Sequence, residues 1–121
     1  MEIREATVED LPAVLTVFDG AILATNVDAV RQAIDRGDLL VAATGGRVLG
    51  ACLLDGEVIE AVAVRRARRD QGIGTALVEA AADRRERLVA EFDPRVRPFW
   101  ASLGFEIDAA DEPDRYRGVR E

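Results

Sequence analysis

The stretch Val62-Ala63-Val64-Arg65-Arg66-Ala67-Arg68-Arg69-Asp70-Gln71-Gly72-Ile73-Gly74-Thr75-Ala76-Leu77 decides the fold. It passes from an apolar run through an arginine-rich segment and a glycine-marked turn into residues of helical spacing. Gly72 and Gly74 let main-chain amides approach a ligand closely. The first turn of the helix that follows presents N–H groups without intrahelical partners, and these favour negatively charged oxygen. Spacing alone fits an ordinary tight turn with solvated arginines equally well. Two better-known glycine motifs are disfavoured. A Walker A loop needs a lysine after its glycines, and the chain contains none. A dinucleotide-binding fingerprint needs a third glycine where Leu77 stands, and 121 residues leave little room for a doubly wound pair of units.

Outward from this turn, the pattern alternates between strand and helix. Val58 to Val64 reads as a strand, and the segment from Gly72 to about Arg87 reads as a helix with Ile73, Ala76, Leu77, Ala80 and Ala81 on its packed face. Upstream, Ile3 centres a short strand over Glu2 to Ala6, and Thr7 to Asp10 supply capping residues for a helix carrying Leu11, Val14, Leu15 and Phe18. Thr25 or Asn26 caps a second helix in which Val27, Val30, Ala33 and Ile34 share a face, ending near Gly37. Leu39 to Ala43, Val48 to Leu54 and Val58 to Val64 form three antiparallel strands around Gly45-Gly46 and Asp55-Gly56. Downstream, Leu88 to Phe92 is a short strand, Val96 to Leu103 a brief helix closed by Gly104, and Phe105 and Ile107 open another strand. Asp108 to Asp114 reads as an acidic loop, and Tyr116 to Val119 as the antiparallel edge of the sheet. The expected architecture is one α/β domain over residues 1–121.

Composition narrows the chemistry. The chain has no histidine, which removes histidine triads and histidine-based metal sites. Its net charge of −7 opposes general nucleic-acid binding. Charges interrupt every apolar stretch that would otherwise cross a bilayer, and Cys52 has no intrachain disulfide partner, so a cytoplasmic protein without membrane contact is expected. Residues 61–100 nevertheless carry nine arginines against six acids, a positive patch on an acidic body.

The chain resembles the GCN5-related N-acetyltransferase (GNAT) superfamily. Arg69-Asp70-Gln71-Gly72-Ile73-Gly74 satisfies that family's signature, and Pro98-Phe99-Trp100-Ala101-Ser102-Leu103-Gly104-Phe105 resembles its second landmark, a short aromatic helix followed by glycine-phenylalanine. Recognisable detail runs from about residue 57 to 107, and element order matches over essentially the whole chain. The resemblance implies a splayed mixed β-sheet flanked by helices, with acetyl-CoA held between the Val58–Val64 and Leu88–Phe92 strands. It places the pyrophosphate on the main chain of residues 69–75, with Arg69, Asp70, Gln71, Gly72, Gly74 and Thr75 as the cofactor-binding set. Val62 and Val64 align the acetyl and pantetheine portion. Arg65, Arg66 and Arg68 are unranked candidates for peripheral phosphate.

The chemistry implied is direct acetyl transfer to a neutral amine through an oxyanion-bearing tetrahedral state, with no metal. Alternation puts Glu60 on the face of Val58, Val62 and Val64, and an acid between apolar positions makes it the candidate base. Where relatives carry a tyrosine that protonates the leaving thiolate, this chain has Trp100. Tyr116 as another donor and proton exchange through water are the alternatives, and loss of turnover with retained CoA binding is the alternative function. Asp93, at the place of a frequent family asparagine, reads as a cap before Pro94. Cys52 reads as core. The two N-terminal helices, Phe18 to Asn26 above all, form the expected acceptor-side wall. The acceptor is a small-molecule or protein amine, and a homodimer is expected to pair through the Tyr116–Val119 edge.

Overall fold

The computed structural model describes residues 1–19 and 27–121. The described elements run β1 (Glu2–Glu5), a 3-10 turn at Val8–Asp10, α1 (Leu11–Asp19), α2 (Val27–Arg36), β2 (Leu39–Thr44), β3 (Arg47–Asp55) and β4 (Val58–Val64). There follow a 3-10 turn at Arg66–Arg68, α3 (Ile73–Asp83), β5 (Leu88–Phe92), a 3-10 turn at Pro94–Val96, α4 (Arg97–Ser102), β6 (Glu106–Ala109) and β7 (Tyr116–Arg120). The expected Thr25 or Asn26 cap of α2 lies outside the described residues.

The strands form one seven-stranded sheet in the order β1-β2-β3-β4-β5-β7-β6. All recorded pairings are antiparallel except β4 with β5. Strand alternation divides the apolar residues between two layers. Leu39, Val41, Ala51 and Leu53 pack with Val14, Phe18, Val30 and Ala33 of α1 and α2. Leu40, Ala42, Cys52 and Leu54 pack on the other face with Ile73, Leu77, Val78 and Ala81 of α3 and with Trp100 after β5. Val27 belongs to neither layer and is 44% exposed, so the packed stripe of α2 is narrower than its spacing predicts. No described helix is long and apolar enough to cross a membrane.

Two further features of the layout differ from the sequence expectation. First, α3 ends at Asp83, not near Arg87. The residues beyond it are engaged elsewhere: Arg84 donates to Glu5 at 3.1 Å, while Arg85 donates to the Gly56 carbonyl at 2.9 Å and to Asp38 at 2.5 Å. These contacts tie the chain to the β1 and β3–β4 ends of the sheet and draw it out of the helical path. Second, β7 is not an edge. It pairs with β5 from Leu88↔Arg120 to Phe92↔Tyr116 and with β6 from Glu106↔Val119 to Ala109↔Tyr116, which leaves β6 outermost. Gly118 permits this insertion, because a Cβ there would lie 3.2 Å from Phe92 and 3.3 Å from Phe105.

Gly50 fixes the height of α3 above the sheet. A Cβ at that position would stand 2.9 Å from the Ala63 carbonyl oxygen and 3.2 Å from the Ile73 and Leu77 side chains. Gly50→Ala is expected to cost about 1–3 kcal/mol through this overpacking, read as a lower urea midpoint at unchanged m. At the opposite sheet edge, the Asp10 carboxylate accepts from Arg4 at 2.7 and 3.1 Å and from the Thr7 N–H at 2.8 Å. The Arg4 guanidinium foremost holds the Asp10 carboxyl below its ordinary 3.8. Its stabilisation is complete above that value and disappears as pH falls through the lowered one. Asp10→Asn should remove about 1 kcal/mol at neutral pH and flatten the acid limb of an unfolding-versus-pH series.

Candidate active site

The site begins with an irregularity in β4. Against β3, Ala61 pairs with Leu53 but Ile59 pairs with Leu54, so Glu60 is the extra residue of a β-bulge. The bulge corrects the simple alternation expected for this strand. Ile59, Val62 and Val64 pack on the α3 layer, whereas Ala61 and Ala63 pack on the α1 and α2 layer. Val58, paired with Asp55 beyond the bulge, is thereby out of phase with Val62 and Val64.

Beyond the bulge, β4 and β5 separate. Their parallel ladder is recorded at Val58↔Val89 alone, and the Val89 N–H donates to the Glu57 carbonyl at 2.9 Å. At the other end of β4, the Arg65 N–H donates to the Leu49 carbonyl at 2.8 Å. Antiparallel pairing alternates the direction of successive amides, so Val62 and Val64 turn their N–H and C=O groups away from β3 and toward the opening. The separation leaves a cavity of about 830 Å³. Residues of β4 from Ile59 to Val64 form one wall, and Glu91, Phe92, Val96, Phe99 and Trp100 form the other.

The upper end of the cavity is closed by the arginine-rich turn and the start of α3. Arg68, Arg69, Asp70, Gly72, Gly74 and Thr75 all line it, whereas Gln71 is exposed outside the lining. Asp70 and Gly72 adopt left-handed backbone with φ of 65° and 80°. Gly72 has nothing within 4 Å of where a Cβ would stand, so its requirement is conformational and the space beside it is open. Gly74 is different: a Cβ there would meet Phe99 at an ordinary 3.5 Å. The loop arginines divide into distinct roles. Arg65 donates to the Val48 carbonyl at 2.6 Å and Arg69 to the Val64 carbonyl at 3.3 Å, so both brace the turn. Arg68 reaches the cavity without an ion pair among the described residues.

Glu60 and Trp100 both line the cavity. The indole is buried, stacked on Phe92 at 5.5 Å and set edge-on to Phe99 and Phe105 at 5.1 Å each. Tyr116 does not reach the lining. Its ring lies 6.3 Å from Phe92 with the Arg97 guanidinium 5.3 Å from its centre. Asp93 accepts from the Arg95 N–H at 2.9 Å and from its guanidinium at 3.0 Å, which is the capping arrangement expected before Pro94. Cys52 is fully buried, and burial pushes its thiol up to about 12, so it has no nucleophilic part. Phe18 is core, and the remainder of the expected acceptor wall, residues 20–26, lies outside the described residues. The sequence reading missed Arg115, which enters the cavity from the residue before β7. Only the insertion of β7 beside β5 brings it there, and no local motif marks it.

Comparison with known proteins agrees with this geometry. No curated protein matches the chain. Among solved structures it is similar to Rv2747 from Mycobacterium tuberculosis, solved with CoA, at a TM-score of 0.85 and 19% identity over 98% of each chain. It is similar to Ard1 from Thermoplasma volcanium at 0.83 and 18%, covering 98% of this chain and 95% of that one. N-acetylglutamate synthase from Neisseria gonorrhoeae, complexed with coenzyme A and N-acetyl-glutamate, gives 0.82 and 20% over 98% of this chain and 34% of its own. At these identities the likeness is one of fold. The family model described as an acetyltransferase (GNAT) domain matches residues 35–107, which spans both walls of the cleft, its glycine turn and the aromatic helix after β5. The bulged strand, the parallel pair that opens beyond it and the helix start between them are therefore those of a member of the GNAT acetyltransferase family, to which this chain belongs.

Proposed function

We propose that the chain is an acetyl-CoA-dependent N-acetyltransferase that passes the acetyl group directly to an amine of a small molecule or a protein. The observation that carries this reading is the cleft between β4 and β5, which joins an exposed main-chain edge to the N-terminus of α3. The residues present fit the cosubstrate. The open side of Gly72 and the N–H groups from Gln71 to Thr75 suit a pyrophosphate, and Arg68 supplies a positive charge at its rim. CoA in the Mycobacterium tuberculosis and Neisseria gonorrhoeae neighbours supports the same assignment.

Bound acetyl-CoA supplies an activated acyl group on a thiol leaving group. The protein contributes placement and charge. The Val62 main chain and the Val64 N–H would hold the pantetheine amides as a missing strand would, and an N–H on that edge would polarise the acetyl carbonyl. Glu60, held at the bulge on the same wall, takes the proton released by the attacking amine, directly or through water. Trp100 offers no phenolic proton and Tyr116 stands outside the lining, so the departing thiolate draws its proton from solvent. The packing of Trp100 among three phenylalanines favours a second reading, CoA binding without turnover.

Two experiments test the proposal. The Gly72→Ala/Gly74→Ala variant should stay folded, because a Cβ added at Gly74 makes ordinary contact and the Gly72 penalty is only about 1 kcal/mol. Its affinity for CoA by calorimetry should fall on the order of tenfold or more, since the turn can no longer hold its amides on the phosphates. Equal affinity would remove the loop from the site. Glu60→Gln should lower kcat on the order of a hundredfold or more and flatten its pH dependence, with CoA affinity preserved. Acetyl-CoA that binds but is not consumed with any amine would select the second reading.

A further inference from the structure

Away from the glycine turn with its Arg68, Arg69 and Asp70, three charged side chains of both signs line the cleft. Glu60 stands on β4 and Glu91 on β5, each two residues beyond the single recorded Val58↔Val89 pair, and both line the cavity. Arg115 faces the same space from the head of β7, where Tyr116 pairs with Phe92. None of the three forms an ion pair or side-chain hydrogen bond among the described residues. Asp93 is bonded by the Arg95 N–H and guanidinium, which chiefly hold its carboxyl low, and Arg115 adds only a weaker electrostatic contribution to it. Two acids alone would match any cationic amine. A guanidinium lining the same cavity suits an acceptor with a negative group as well, and its planar donor fork matches a carboxylate.

We infer that the acceptor is an amine that also bears a carboxylate, an amino acid or a close relative, with its ammonium group directed to Glu60 and Glu91 and its carboxylate to Arg115. This rests on the acetyltransferase reading above and deepens it. Glu60 thereby collects the ammonium form before deprotonating it, and Arg115 sets which amines are aligned for attack. Arg115 is accordingly a specificity-determining residue.

The test compares α-amino acids, their α-carboxamides and linear diamines as acceptors, reading thiol release from acetyl-CoA. The same compounds are titrated calorimetrically into the protein with and without CoA. The expected result is a preference for the carboxylate over the matched carboxamide of roughly tenfold to a hundredfold, in kcat/KM and in binding. Arg115→Gln should abolish that preference by raising KM for the amino acids, with the carboxamides unaffected, and Arg115→Lys should restore part of it. Carboxamides or diamines used as well as amino acids, or a preference that survives in Arg115→Gln, would overturn the inference. Absence of turnover with every amine would defeat the catalytic reading, while the binding preference and its loss in Arg115→Gln would still decide the role of Arg115.

Discussion

One extra residue in β4 governs the rest of the molecule. The bulge at Glu60 changes the phase of the strand so that its two halves no longer follow a single face, and the parallel ladder with β5 is recorded on one side of that point only. A continuous β4–β5 ladder would satisfy the main-chain groups of Val62 and Val64 internally. The broken one leaves those of Val62 and the Val64 N–H facing an opening of molecular size, while the Val64 carbonyl accepts from Arg69. The site is thus a gap in the hydrogen bonding of a sheet.

The two ends of that gap are built differently. At the helix end the geometry is rigid and main-chain based: left-handed Asp70 and Gly72, carbonyls braced by Arg65 and Arg69, and α3 pressed close over Gly50. On the β5 side the wall is side-chain based, with Trp100 packed among Phe92, Phe99 and Phe105 and with Glu91 and Arg115 also in the lining.

How much of this was legible in the sequence follows from the range of the interactions. Strand and helix order, the glycine turn, the Asp93 cap and the core place of Cys52 come from local periodicity and turn chemistry, which a short window contains. The bulge was not legible, because Ile59 and Glu60 read as ordinary alternation until the register with Leu53 and Leu54 is known. The inserted position of β7 was equally hidden, since Tyr116–Arg120 has the same local pattern at an edge as between two strands. Arg115 depends on that insertion, as does the placing of Tyr116 against Phe92. The early end of α3 depends on Arg84 and Arg85 finding Glu5, Asp38 and Gly56, partners far away along the chain.

The insertion of β7 also orders events in time. β5 and β6 are near neighbours in sequence, yet β7 lies between them, and the ladder that covers β5 joins Leu88 to Arg120. During synthesis the β1–β4 meander can pair as it emerges, but β5 keeps an open edge until residues 116–120 arrive. A nascent chain halted before β7 therefore carries the β4–β5 cleft without Arg115 and leaves the outer edge of the Phe92 strand unpaired, a site for association with other chains.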